Sequence, residues 1–306
     1  MNEAPYDWFF STIDLLRESG VPTQITSGMA CVFRQKTSLN TKDCDIIILG
    51  EWEKAFEILS KLQRDGHDLV YRSPFSAPLD SKWMRGGWTS HFEWTGNPVA
   101  KLDIFGSPPR VLNDIGSDYF STDETIASIK MTQRIRDWST VHEMGLRLLK
   151  TQNQKGFLYL QTAEGIKKAM KAFSLSPEII QQRPLLQKMD DSDILTLQAM
   201  IEVERKFWMS LDHHRINLYR NCSKPYILSA REILKEVTDL HRQHQLLVEI
   251  ALEKLPFNPL EGKFEEVVRL ASEEALKLVD RSRFSSELLP QNWARFTLIY
   301  KRVVVA

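Results

Sequence analysis

The run Asp43-Cys-Asp-Ile-Ile-Ile-Leu49 constrains the fold more than any other stretch of the chain. Its β-branched half reads as a strand, and strand alternation puts Asp43, Asp45 and Ile47 on one face and Cys44, Ile46 and Ile48 on the other. Two carboxylates side by side repel unless a cation sits between them, and the usual partner of two hard oxygen ligands is Mg²⁺. Upstream, Gln24 to Thr26 reads as a short strand, Ser27-Gly28 as a turn, and Met29 to Gln35 as a helix whose first amides would face an anion. Acids on a strand next to a glycine turn point to phosphate chemistry.

The surrounding pattern alternates helix and strand. Asp7 to Glu18 carries Phe9, Ile13 and Leu16 at helical spacing and stops at Gly20. Glu51 to Arg64 is a second amphipathic helix, with Ala55, Ile58, Leu59 and Leu62 expected inward. His67 to Tyr71 and Gly87 to Trp94 read as strands, the second alternating Trp88, Phe92 and Trp94 with Thr89, His91 and Glu93. Gly96-Asn-Pro98 then turns the chain into a strand over Val99–Phe105, so a hairpin is expected. This alternation predicts an α/β or α+β arrangement on a small mixed sheet rather than a barrel.

Beyond Gly106-Ser-Pro-Pro109 the pattern becomes helical. Thr122 or Asp123 is expected to cap a helix containing Ile126 and Ile129, and a further helix follows through Trp138, Val141, Met144 and Leu148. Later helices are expected over 162–173, 190–211, 229–254 and 264–281, with breaks at Ser176-Pro177, Lys224-Pro225 and Pro256-Phe-Asn-Pro259. Residues 293–305 suit helix or strand equally. The division expected is therefore a first domain over 1–120 and a helical domain over 121–306 that bounds a cleft and selects the acceptor.

Composition narrows the partners. Forty basic and forty acidic residues give zero formal net charge, so no global field draws the chain to nucleic acid or membrane, and polyanion contacts would have to be local. Cys31, Cys44 and Cys222 form no CxxC spacing and leave an odd count, which suits a reducing compartment. The first residues show no basic start followed by a long apolar run, and no segment has the apolar length of a spanning helix. A cytoplasmic, bacterial-type protein is the expectation.

Ser27-Gly28-Met29-Ala30 followed by Asp43-Cys44-Asp45-Ile46 resembles the signature of the nucleotidyltransferase superfamily with the DNA polymerase β-like catalytic core. That family has a third acid on a neighbouring strand, and Asp103, phased opposite the apolar Ala100, Leu102 and Ile104, is the candidate. The sequence departs at Met29, where many members keep a small Ser or Thr that touches phosphate. Lys130, Arg134 and the Arg136-Asp137 pair are similar to the post-core helix of bacterial abortive-infection-type members.

The resemblance implies transfer of a nucleoside monophosphate from a nucleoside triphosphate to a hydroxyl. Two Mg²⁺ ions about 3.5–4 Å apart would be held by Asp43, Asp45 and Asp103, the catalytic set. Ser27, Gly28 and Lys42, with Lys130 and Arg134 from the helical part, would bind the nucleotide. The acceptor stays open among a small molecule, a tRNA end and a protein side chain.

Plainer readings stand beside these. An Asp-x-Asp pair often caps a turn, Lys42 is a loop base of the kind that is usually solvated, and Lys130 with Arg134 makes a surface stripe facing Asp137. His241 with His244, and His213 with His214, lack the third ligand and geometry of a zinc site. GxSxG, GxGxxG and GxxxxGK[ST] are absent. The rival functions are a catalytically inactive nucleotidyltransferase-like protein that senses nucleotide or binds a partner, and a nucleic-acid-binding component using Lys167, Lys168 and Lys171.

Overall fold

A computed structural model describes residues 4–35, 43–72, 74–96, 99–106, 110–111, 118–278 and 284–290. Lys42 and the segment 293–305 fall outside these residues. The described chain is α+β, with a small mixed sheet in its first part and a mostly helical remainder.

The described residues divide into two compact units, one from 4 to 121 with 218–259, the other of 122–217 with those from 260 to 290. In the first unit lie α1 (Ala4–Glu18), β1 (Thr23–Thr26), α2 (Ser27–Gln35), β2 (Asp43–Ile48), α3 (Trp52–Arg64), β3 (Leu69–Tyr71), α4 (Ser81–Arg85), β4 (Thr89–Trp94) and β5 (Ala100–Phe105). The sheet runs β1-β2-β5-β4-β3, with β2 and β5 parallel and the other neighbours antiparallel. Its apolar face carries Ile25, Cys44, Ile46, Ile48, Leu102 and Ile104, each at most 1% exposed, and Phe9, Ile13 and Leu16 of α1 are fully buried.

Helix α3 turns a different stripe inward from the one its aliphatic residues suggest. Trp52, Ala55, Phe56, Leu59 and Ser60 are buried, while Ile58 and Leu62 are half-buried. Aromatic area decides this: Phe56 and Trp52 remove more apolar surface from water than the two aliphatics they replace. The Trp52 indole also donates to the Ile48 carbonyl at 2.8 Å. Helix α4 was not expected from the pattern, being only five residues long; Asp80 starts it by accepting from the Lys82 amide.

The helical part holds α5 (Asp123–Lys130), α6 (Asp137–Lys150), α7 (Ala163–Met170), α8 (Pro177–Gln182), α9 (Ile194–Glu236), α10 (Leu240–Lys254) and α11 (Phe264–Leu276). Thr122 caps α5 and Thr162 caps α7 through their hydroxyls. The break expected at Lys224-Pro225 does not occur: Pro225 lies inside α9, which runs on to Glu236, so the single helix expected over 229–254 is instead the end of α9 plus α10. An internal proline costs about 3 kcal/mol. Burial offsets it, since Ser223, Tyr226, Ile227 and Ala230 are all buried and the Tyr226 hydroxyl donates to the Ser76 carbonyl at 2.8 Å.

Residues 218–259 belong to the first unit, and their packing fixes β3. His244 of α10 stacks on Phe56 with ring centroids 3.7 Å apart, and its Nδ1 lies 2.8 Å from the Tyr71 hydroxyl, which also accepts from the Leu79 amide. Burial, followed by the neighbouring His241, pushes the His244 pKa down to about 4, with Glu53 opposing. The unfolded chain therefore takes up a proton near pH 6.5 that the folded chain refuses until about pH 4. Stability is fully present above pH 6.5 and declines as pH falls to 4, by on the order of 2–3 kcal/mol. Urea denaturation of His244→Gln should lose most of this slope between pH 6.5 and 4.5; a variant as acid-sensitive as the parent would remove His244 as the cause.

Candidate functional site

The strand registers draw a polar row across the face opposite the apolar core. Thr26 pairs with Asp45, Asp45 with Asp103, and Asp103 with His91. The Arg72 amide donates to the His91 carbonyl at 3.0 Å, so Arg72 extends the row just past β3. Directly paired residues share a face, and adjacent strands lie about 4.8 Å apart. The register therefore sets Asp45 and Asp103 side by side, although 58 positions separate them in the chain (103 minus 45). A second row contains Asp43, Lys101 and Glu93, with the Lys101 ammonium 3.8 Å from an Asp43 carboxylate oxygen.

These acids do not share one environment. The Asp43 side chain is half exposed, whereas that of Asp103 is 17% exposed, with Arg72 and His91 both on one of its oxygens. Arg72 donates to Asp103 Oδ1 at 2.5 Å and His91 Nδ1 lies 2.8 Å from it. Burial works against the Asp103 charge, but the hydrogen bond and charge of His91 and those of Arg72 outweigh it, leaving the pKa below the ordinary carboxylate value. On the other face, burial raises the Cys44 thiol well above its usual value, and the charges of Asp45 and Asp103 add to that shift. Cys44 is thus kept as a packed thiol rather than a nucleophile.

At the end of β1 the chain turns sharply. Ser27 is buried with φ +56°, in the left-handed region that a non-glycine residue enters at a cost of about 1–2 kcal/mol, and it opens α2. Gly28 follows it, half-buried at the start of the helix. Thr26, fully buried and paired with Asp45, has a hydroxyl with no hydrogen-bond partner among the described residues. Strain and an unsatisfied hydroxyl therefore sit side by side at the edge of the acidic row.

Lys130 and Arg134 lie in the other unit, on Asp137. The Arg134 guanidinium donates to Asp137 Oδ2 at 2.8 Å, the Thr132 hydroxyl donates to the same oxygen at 2.6 Å, and the Lys130 ammonium is 3.9 Å from Oδ1. His213 and His214 take separate partners, Gln133 and Glu274 respectively. Asp43, Asp45, Asp103, Ser27 and Gly28 thus fall on one sheet and its first turn, and Lys130 and Arg134 form a second cluster.

Arg72 has no signal in the sequence, and His91 shows there only as a polar-face residue of its strand. The hairpin makes His91 recoverable, since pairing Trp94 with Ala100 sets His91 opposite Asp103. Arg72 stands one residue beyond a three-residue strand, where alternation gives no signal.

The donor chemistry fits a hard divalent cation, because all three acids offer carboxylate oxygens from one face of adjacent parallel strands. Among the described residues no group of three His, Cys, Asp or Glu side chains closes around one metal position. None of the described helices is long and apolar enough to cross a membrane. No protein-family model, curated protein or solved structure matches the chain.

Proposed function

We propose that the chain is a metal-dependent nucleotidyltransferase that moves a nucleoside monophosphate from a nucleoside triphosphate to a hydroxyl acceptor. The observation that carries this reading is the parallel register of Asp45 with Asp103, beside the left-handed turn at Ser27. Asp43, Asp45 and Asp103 would hold two Mg²⁺ ions, which when bound supply charge stabilisation to the attacking and leaving oxygens. Asp103, its pKa held low, stays ionised at neutral pH and suits a ligand better than a base. The amides at the start of α2 bind the phosphates, and Gly28 lets them approach without a side chain in the way. Lys130 and Arg134 already have Asp137 as a partner, and the chemistry proposed for the sheet needs neither.

The test is to incubate the protein with each α-labelled triphosphate, Mg²⁺ and a cell extract, and to ask which fraction takes up label. EDTA-sensitive labelling with pyrophosphate release is expected. If all four triphosphates leave every fraction unlabelled, the proposal is lost. The Arg72–Asp103 pair favours a second reading, a nucleotide sensor without transfer, which would bind nucleotide and release no pyrophosphate.

A further inference from the structure

We propose that Arg72 is an exchangeable counter-ion of Asp103: it neutralises the carboxylate until substrate phosphate draws it away, leaving Asp103 to the divalent cation. This rests on the metal and phosphate site proposed above. Three observations on the sheet support it.

First, the contact is with an acid of the candidate metal set. The Arg72 guanidinium lies 2.5 Å from Asp103 Oδ1, and the same nitrogen is 3.1 Å from His91 Nδ1. A cation there repels an incoming Mg²⁺ at the carboxylate that Mg²⁺ needs. Second, the guanidinium is incompletely satisfied. Its Nε is buried and has no hydrogen-bond partner among the described residues, although its NH2 group is engaged. A guanidinium presents a planar fork of donors that matches a phosphate in two places, and a single carboxylate oxygen uses only part of it. Third, the exchange needs no backbone movement. Arg72 sits immediately after β3, its backbone amide bonded to His91, while the charge is carried on a long side chain that is about one quarter exposed.

His91 also contacts Oδ1, at 2.8 Å, and its backbone is fixed within β4, so it retains Asp103 in place when Arg72 leaves. The roles separate: His91 positions the carboxylate, and Arg72 exchanges one anion for another. Because both ligands act on one equilibrium, substrate phosphate and metal assist each other through Arg72.

The distinguishing experiment is a pair of titrations on the full chain: Mn²⁺ alone, followed by electron paramagnetic resonance, and inorganic pyrophosphate in EDTA, followed by calorimetry. Arg72→Gln is expected to bind Mn²⁺ about tenfold more tightly and pyrophosphate about tenfold more weakly than the parent. Changes of opposite sign are the signature, since a purely structural role would weaken both. Arg72→Lys, which keeps the charge, should stay near the parent for Mn²⁺. Arg72→Met replaces Arg72→Gln if the latter does not fold. Unchanged or weaker Mn²⁺ binding in the neutral variant, or undiminished pyrophosphate binding, overturns the inference. Asp45→Asn separates the two levels: if it abolishes Mn²⁺ binding while Arg72→Gln behaves as the parent, only the inference fails, and if parent and Asp45→Asn bind Mn²⁺ alike, the metal site fails with it.

Discussion

Asp45→Asn is expected to lose about a thousandfold of the proposed nucleotidyl transfer while keeping the fold. Asp45 faces Asp103 across a parallel pair, so the fold sets two carboxylates at strand spacing where the proposed cation would sit. Making Asp45 neutral removes one of the carboxylates proposed to hold the metal. Asp103→Asn is the less clean variant, because it leaves the partly buried Arg72 without its counter-charge and weakens the contact with His91. It should lose activity to a similar extent and also lose about 1–3 kcal/mol of stability. The measurement is transfer rate alongside thermal denaturation for both variants. Asp45→Asn with parental transfer would remove the acidic row from the mechanism; Asp45→Asn that unfolds would make the carboxylate structural.

How far the chain could be read beforehand follows from the range of the forces involved. Alternation is local, and it recovered the polar and apolar faces of β2 and β5, including the phase of Asp103. Caps are local as well, and Thr122, one of the two caps expected for α5, fell where its hydroxyl and the following residues put it. The inward stripe of α3 is not local. It depends on what Phe56 meets, and Phe56 meets His244, 188 positions away (244 minus 56). Pro225 misled for the same reason, since its local penalty is offset by Tyr226 reaching Ser76. At the site, the acids were legible because they lie on strands of their own, while Arg72 became visible only once β3 and β4 were in register. The left-handed Ser27 gave no sign either, because only its neighbour Gly28 advertises a turn.

In the second unit the largest single loss is expected from Arg183→Met, at about 3–5 kcal/mol. Arg183, 2% exposed at the end of α8, donates to both oxygens of Glu204 on α9, at 2.9 and 3.2 Å from Nε and at 2.6 Å from NH2. Its remaining nitrogen donates to the carbonyls of Phe157 at 2.6 Å and Leu160 at 2.8 Å. Removing the guanidinium therefore strands a buried carboxylate and two buried carbonyls together. Burial already pushes the Glu204 pKa upward, with Arg183 opposing that push, so without Arg183 the carboxyl is driven further toward its neutral form. A folded-state pKa above the unfolded value contributes stability that is present below the unfolded pKa and lost as pH rises through the folded one. The deficit of Arg183→Met should accordingly shrink toward pH 4.5 and be largest near pH 8. Adding Glu204→Leu to Arg183→Met should recover the part due to the stranded charge and abolish that pH dependence, leaving only the cost of the two carbonyls. Chemical denaturation of the single and double variants at both pH values decides it: a single variant within about 1 kcal/mol of the parent at pH 8 would show that the pair is replaceable packing rather than a buried charge that each partner needs.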